Sequence, residues 1–140
     1  MAEAHKLHAQ VLTPEGEVFD GELEQLSTRT AVGEVGIRAN HAPLIGRLVP
    51  AELRLHVSDS ETIRYAQAEG WLEVFANKAV VLIGEAIPPE ELDASELRER
   101  ADDAEQRLNE ADEDSAAYDQ AQRDKDRAEA FLEVAERSSH

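Results

Sequence analysis

The sequence predicts a β + α chain: an antiparallel β-sandwich or flattened barrel over residues 1–88, then an antiparallel two-helix hairpin over residues 89–140. Three observations predict it. All seven glycines and all five prolines lie at or before Pro89, and the 51 residues after Pro89 contain neither. Turn chemistry stops there. Upstream of Pro89 the apolar residues alternate with period two, as in half-buried strands, whereas downstream they recur at steps of three and four, as on one face of a helix.

The elements follow in order. Leu7, Ala9 and Val11 share the first alternating face, and "PEGE" from Pro14 to Glu17 turns the chain. The stretch "TAVGEVGIRANHAPLIG", Thr30 to Gly46, is the most unusual, with Gly33 and Gly36 three apart and then Asn-His-Ala-Pro. Those glycines signal backbone freedom at a turn or bulge. Leu53, Leu55 and Val57, then Ile63 and Tyr65, then Leu72, Val74 and Ala76 continue the alternation, with "AEGW" as a further turn. In "AVVLI", Ala79 to Ile83, the alternation disappears, which predicts a central strand covered on both faces.

After "IPPEE" the period changes. Asp93 followed by Glu96 forms a capping box that opens a helix, and Ala94, Leu97, Ala101, Ala104, Leu108 and Ala111 mark its apolar stripe. A second stripe, Ala117, Ala121, Ala128, Phe131 and Ala135, follows the polar break "NEADEDS", so two antiparallel helices are the economical arrangement. Alanine seams let helices approach closely but bury little area, at about 25 cal/mol per Å2. Such a hairpin is marginally stable by itself and is expected to detach and change shape.

Charge narrows the function. Fourteen Lys and Arg against 31 Asp and Glu leave a net charge of −17, which repels nucleic acid. Residues 1–88 carry 7 basic and 13 acidic side chains, net −6, and residues 89–140 carry 7 and 18, net −11. The hairpin is the acidic part, and added salt should favour its closed form. There is no cysteine, so packing alone must hold the fold. Neither a signal-peptide pattern nor about 18 consecutive apolar residues occurs, so a soluble cytosolic protein is expected.

No catalytic, cofactor or metal site is expected. His5 and His8 lie three apart on a strand and point to opposite faces; His41, His56 and His140 are isolated. Ser27 and Thr28 have no base arguable from spacing. Gly33-Glu-Val-Gly36 lacks the third glycine and the βαβ setting of a dinucleotide fingerprint.

"GEVGIRANHAPLIGRLVPAELRL" resembles the Gly-Glu-X-Gly-Ile and His-Ala-Pro-Leu segment of the epsilon subunit of F-type ATP synthases, called delta in mitochondria. "VLTPEGEVFDGELEQLS" is similar to that family's first strands and "AEGWLEVFANKAVVLIGEA" to its last, with a two-helix tail behind them. The resemblance implies a non-catalytic rotor subunit at the foot of the central stalk, peripheral on the cytoplasmic face of the cell membrane without inserting into it. Its implied partners are the gamma subunit, the c-ring and, transiently, the catalytic alpha and beta subunits. Onto this sequence it carries Glu34, Arg38 and His41 as c-ring contacts, with Gly33, Gly36 and Pro43 shaping the loop.

The tail departs from its relatives. Many bacterial members bind ATP through Ile/Leu-Asp-X-X-Arg-Ala; here Leu92 and Asp93 fit, but Glu96 stands at the arginine position, so ATP is not expected as a cofactor and Asp93 is left as a helix cap. Arg98, Arg100, Arg107, Arg123, Lys125 and Arg127 are the candidates for inhibitory contacts with the catalytic subunits, although carboxylates outnumber them on their own helices. An adaptor with an acidic recruiting tail is the rival reading. A ligand-binding sandwich is a third, weakened by the scarcity of aromatics beside Trp71.

Overall fold

The computed structural model describes residues 6–137, and the chain divides between Ile87 and Pro88 into two compact units. Among its described residues the first holds ten strands: β1 (Leu7–Thr13), β2 (Gly16–Leu23), β3 (Gln25–Thr30), β4 (Gly33–Ile37), β5 (Leu44–Leu48), β6 (Ala51–Ser58), β7 (Glu61–Gln67), β8 (Gly70–Phe75), β9 (Lys78–Ile83) and β10 (Ala86–Ile87). Their order is β10-β7-β6-β3-β5-β8-β9-β1-β2, with β4 against β3. β3 is the corner. Its first half pairs with β6 through Gln25 to Ser27, and its last residue, Thr30, pairs with Leu48 of β5. One strand thus joins two layers.

The alternating residues close over one core. Leu7, Ala9, Val11, Leu26, Ile37, Leu55, Leu72 and Val81 are fully buried, as the period-two reading requires. The sandwich and the two helices match the expected fold class. One pairing is parallel, however: β1 lies beside β9 in the same direction, Ala9 opposite Ala79 and Val11 opposite Val81. Alternation reports faces and not directions, so it could not show this.

Two strand expectations are corrected. Ala79, Val81 and Ile83 are buried but Leu82 is 47% exposed, so β9 is flanked on both edges by β8 and β1 yet covered on one face only. A sandwich strand has a single inner face. Ala76 does not extend the stripe of Leu72 and Val74; it sits in the β8–β9 turn at φ 50.

In the second unit, a 3-10 turn over Pro89–Glu91 precedes α1 (Ala94–Glu110) and α2 (Ala116–Arg137), which pack on one another. Asp93 caps α1: its Oδ1 accepts from Ser95 N at 3.0 Å and Glu96 N at 3.2 Å. The expected return bond from Glu96 is replaced, because the Glu96 carboxylate takes Arg100 one turn on. Ser115 Oγ accepts from Tyr118 N at 3.1 Å to cap α2. Leu97, Ala104, Ala121, Ala128, Phe131, Val134 and Ala135 are buried, whereas Ala117 is exposed and Tyr118 is half-buried. The stripe enters Ala121 by a step of three and not four. Among the described residues no helix is long and apolar enough to cross a membrane.

Candidate functional site

The unusual stretch begins with a tight hairpin. Thr30 pairs with Gly33, leaving Ala31 and Val32 as the turn, and Gly33 takes φ +133, a conformation that side chains disfavour. Thr30 Oγ1 ties the turn by donating to Gly33 O at 2.9 Å and accepting from Val32 N at 3.2 Å. Val35 and Ile37 face the core, so Glu34, Gly36 and the following Arg38 alternate to the outer face. Gly36 leaves room there for Gln25, whose Nε2 would lie 2.8 Å from an added Cβ.

Each predicted contact residue already has a partner within the chain. Arg29 donates to Glu34 Oε1 at 3.0 Å, both side chains being largely exposed. Arg38 Nε donates to Gln25 Oε1 at 3.1 Å, and His41 Nδ1 lies 2.7 Å from Ala42 O. Surface pairs of this kind are weak, about 0–1 kcal/mol, and yield readily to a better partner. Pro43 then leads into β5. Behind the loop, Asn40 takes φ 62 and its N–H reaches Asn77 Oδ1 at 2.8 Å.

The loop runs into an apolar surface. On the outward side of β5, β8 and β9, Ile45 (72% exposed), Trp71 (53%), Phe75 (65%) and Leu82 are uncovered in this chain. The ladders bring them together: Trp71 is opposite Leu82, and Ile45 is opposite Glu73, placing it diagonally between Trp71 and Phe75. A cleft of about 550 Å3 lined by Pro43, Leu44, Ile45, Glu73, Val74 and Phe75 joins loop and patch. Sequence reading missed this patch. Its signal was there in the apolar residues at the polar phase of "GWLEVF" and "KAVVLI".

The opposite phase of β3, β6 and β7 is polar. Ser27 Oγ lies 3.3 Å from His56 Nε2, a pairing that a spacing of 29 residues could not reveal, but His56 Nδ1 faces the Thr62 hydroxyl and not a carboxylate, so no nucleophile–base–acid relay is built. Beside it Glu52 is held between Arg54 and Arg64, its side chain only 4% exposed. Burial works to raise its pKa, but the hydrogen bonds and charges of Arg64 and Arg54 outweigh it and hold the carboxyl below its ordinary value. His8 pairs with Asp20 at 2.6 Å, while His5 and His140 lie outside the described residues.

On the hairpin, Asp93 is committed to its cap. Arg100 pairs with Glu96, and Arg107 bridges Asp103 at 2.9 Å and, across the helices, Asp124 at 3.0 Å. Those bonds, Asp103 first, raise the Arg107 pKa further. Lys125 lies 3.8 Å from Glu105 and Arg123 donates to Gln120, while Arg98 is exposed and Arg127 half-buried.

Comparison with known proteins gives a consistent set of likenesses. The family described as "ATP synthase, Delta/Epsilon chain, beta-sandwich domain" matches residues 6–89. The ATP synthase epsilon chain of Persephonella marina is 38% identical over 127 residues, 90% of this chain and 93% of that one. That of Halalkalibacterium halodurans is 31% identical over 131 residues, 94% and 98% of the two chains. Among solved structures, a chain of the Euglena gracilis mitochondrial ATP synthase, an OSCP/F1/c-ring assembly, superposes with a TM-score of 0.79 at 20% identity, covering 99% of this chain and 85% of that one. A chain of the Tetrahymena thermophila mitochondrial ATP synthase central stalk and c-ring gives 0.65 at 19% identity, covering 96% and 99%. At such identities the structural likeness speaks for the fold.

Proposed function

The chain belongs to the ATP synthase delta/epsilon family, as an epsilon chain, and from that premise we propose that it is the non-catalytic central-stalk subunit passing rotation between a c-ring and the gamma subunit. One observation carries the reading. A single packed β unit presents two chemically unlike surfaces that adjoin at Pro43: a loop with Glu34, Arg38 and His41, and the apolar face of Ile45, Trp71, Phe75 and Leu82. Apolar area of this kind suits a lasting grip on a protein shaft. Weakly paired charges suit polar loops of a ring, where they add orientation and register more than affinity. A rigid sheet between the two transmits torque without chemistry of its own.

On this reading the chain lies at the periphery of the membrane, on its cytoplasmic face. The hairpin supplies the regulatory part, with its arginines and Lys125 available to the catalytic subunits once their internal acidic partners are exchanged. Its first turn is built for a cap, Asp93, and for the Glu96–Arg100 pair, which does not favour a bound nucleotide phosphate. Co-purification tests the assignment: the tagged chain should retain gamma and ring subunits, and Trp71→Ser with Phe75→Ser should release gamma. Retention of gamma by that variant would overturn the apolar face as the grip. Glu34→Ala with His41→Ala should lower proton pumping per ATP hydrolysed in reconstituted membranes, and an unchanged ratio would remove the loop from the ring contact.

A further inference from the structure

We infer that the Asn77 side chain is the positioning residue of the 38–43 loop, clamping it to the β8–β9 turn and to the start of β1. Phe75 pairs with Lys78, so Ala76 and Asn77 form a two-residue hairpin turn, with φ 50 and φ 63. Turns left-handed at both positions favour Asn first and Gly second. Here the second position carries Asn, giving up the backbone freedom that glycine would supply. Its side chain accounts for the choice.

Asn77 Oδ1 accepts from Asn40 N at 2.8 Å, and Asn77 Nδ2 donates to Lys6 O at 2.8 Å. The Asn77 carbonyl also accepts from His8 N at 3.2 Å. A carboxamide turned over would set donor against donor and acceptor against acceptor, so the two bonds define each other's direction. The partners lie 37 and 71 residues away in sequence. Asn40 is itself left-handed at φ 62, in the stretch between the end of β4 at Ile37 and the start of β5 at Leu44. Holding its N–H sets the direction in which Arg38 and His41 leave the sheet. The clamp deepens the proposed ring contact and rests on it for its purpose, though not for its existence.

Two variants separate the bonds. Asn77→Gly removes the side chain while easing the turn; Asn77→Asp keeps an acceptor for Asn40 N–H but no donor for Lys6 O. In the full chain, Asn77→Gly should speed hydrogen exchange at the Asn40 amide on the order of tenfold, the loss of one hydrogen bond, with the Leu55 and Val81 amides no faster than before. Asn77→Asp should retain Asn40 protection. In the reconstituted complex, Asn77→Gly should lower the pumping ratio and Asn77→Asp should largely restore it. Unchanged Asn40 exchange in Asn77→Gly would overturn the clamp and reduce Asn77 to a turn residue. Faster exchange with an unchanged pumping ratio would uphold the clamp and overturn the ring contact instead.

Discussion

Thr28 Oγ1 donates to Gln67 Oε1 at 2.6 Å inside a largely apolar interior, and both side chains are buried. Gln67 Nε2 in turn donates to Val49 O at 2.8 Å, so one amide ties β3, β7 and the β5–β6 connection. Gln67→Leu leaves the Val49 carbonyl and the Thr28 hydroxyl without this partner and should cost about 2 kcal/mol in urea unfolding. Adding Thr28→Val should recover part of that loss. A double variant as unstable as the sum of the singles would show that the pair does not act as a unit.

Glu52 makes stability depend on acid. Its folded pKa lies below the ordinary value of 4.5, so its contribution is complete above about pH 4.5 and is lost as pH falls through the lowered value. Glu52→Gln should therefore be less stable at pH 7 by about 1.5–3 kcal/mol, the range for hydrogen bonds to charged groups. Its stability should also fall less than that of the natural chain as pH drops from 5 to 3 (roughly the window in which such a carboxylate protonates). Parallel curves would remove Glu52 from the acid response.

Gly70 and Gly33 separate space from backbone. A Cβ at Gly70 would stand 1.8 Å from Leu82 O, so Gly70→Ala must push β8 from β9 and should cost more than about 3 kcal/mol or prevent folding. At Gly33 a Cβ meets nothing within 4 Å, but φ is +133; Gly33→Ala should cost about 1–2 kcal/mol with the core intact. Equal penalties by thermal unfolding would contradict this division.

The hairpin should open before the sheet. Residues 89–140 carry a net −11, and alanine supplies much of the buried seam, so exchange at α1 and α2 amides should outpace exchange in β1 and β9. Raising ionic strength from about 0.05 to 0.5 M should slow it by screening like charges. Arg107→Gln, which breaks the bridge between Asp103 and Asp124, should speed it at low salt and matter less at high salt. A hairpin as protected as the sheet would end this expectation.

The fold was largely legible because its signals are local. The Leu7–Ala9–Val11 stripe, the Asp93 cap and the loss of Gly and Pro after Pro89 depend on a few neighbouring residues each. The loop's peculiarity was legible too, and even the Arg29–Glu34 pair follows once Thr30 and Gly33 are placed opposite each other. Where pattern reading failed, it failed on partnership: "AVVLI" showed apolar content but not which face would be covered, and the Glu96 carboxylate went to Arg100 while only its backbone N–H joined the cap.

Residue order alone thus settled the change of periodicity along the chain, the acidity of the tail and the family, since each is carried by spacing or composition. Tertiary structure decided the rest: the parallel meeting of β1 and β9, the convergence of Ile45, Trp71, Phe75 and Leu82, and the reach of Asn77 to Asn40 and Lys6. The reason is physical. Strand neighbours and the hydrogen bonds between them are chosen by closing a whole core at once, and no short stretch of sequence contains that choice.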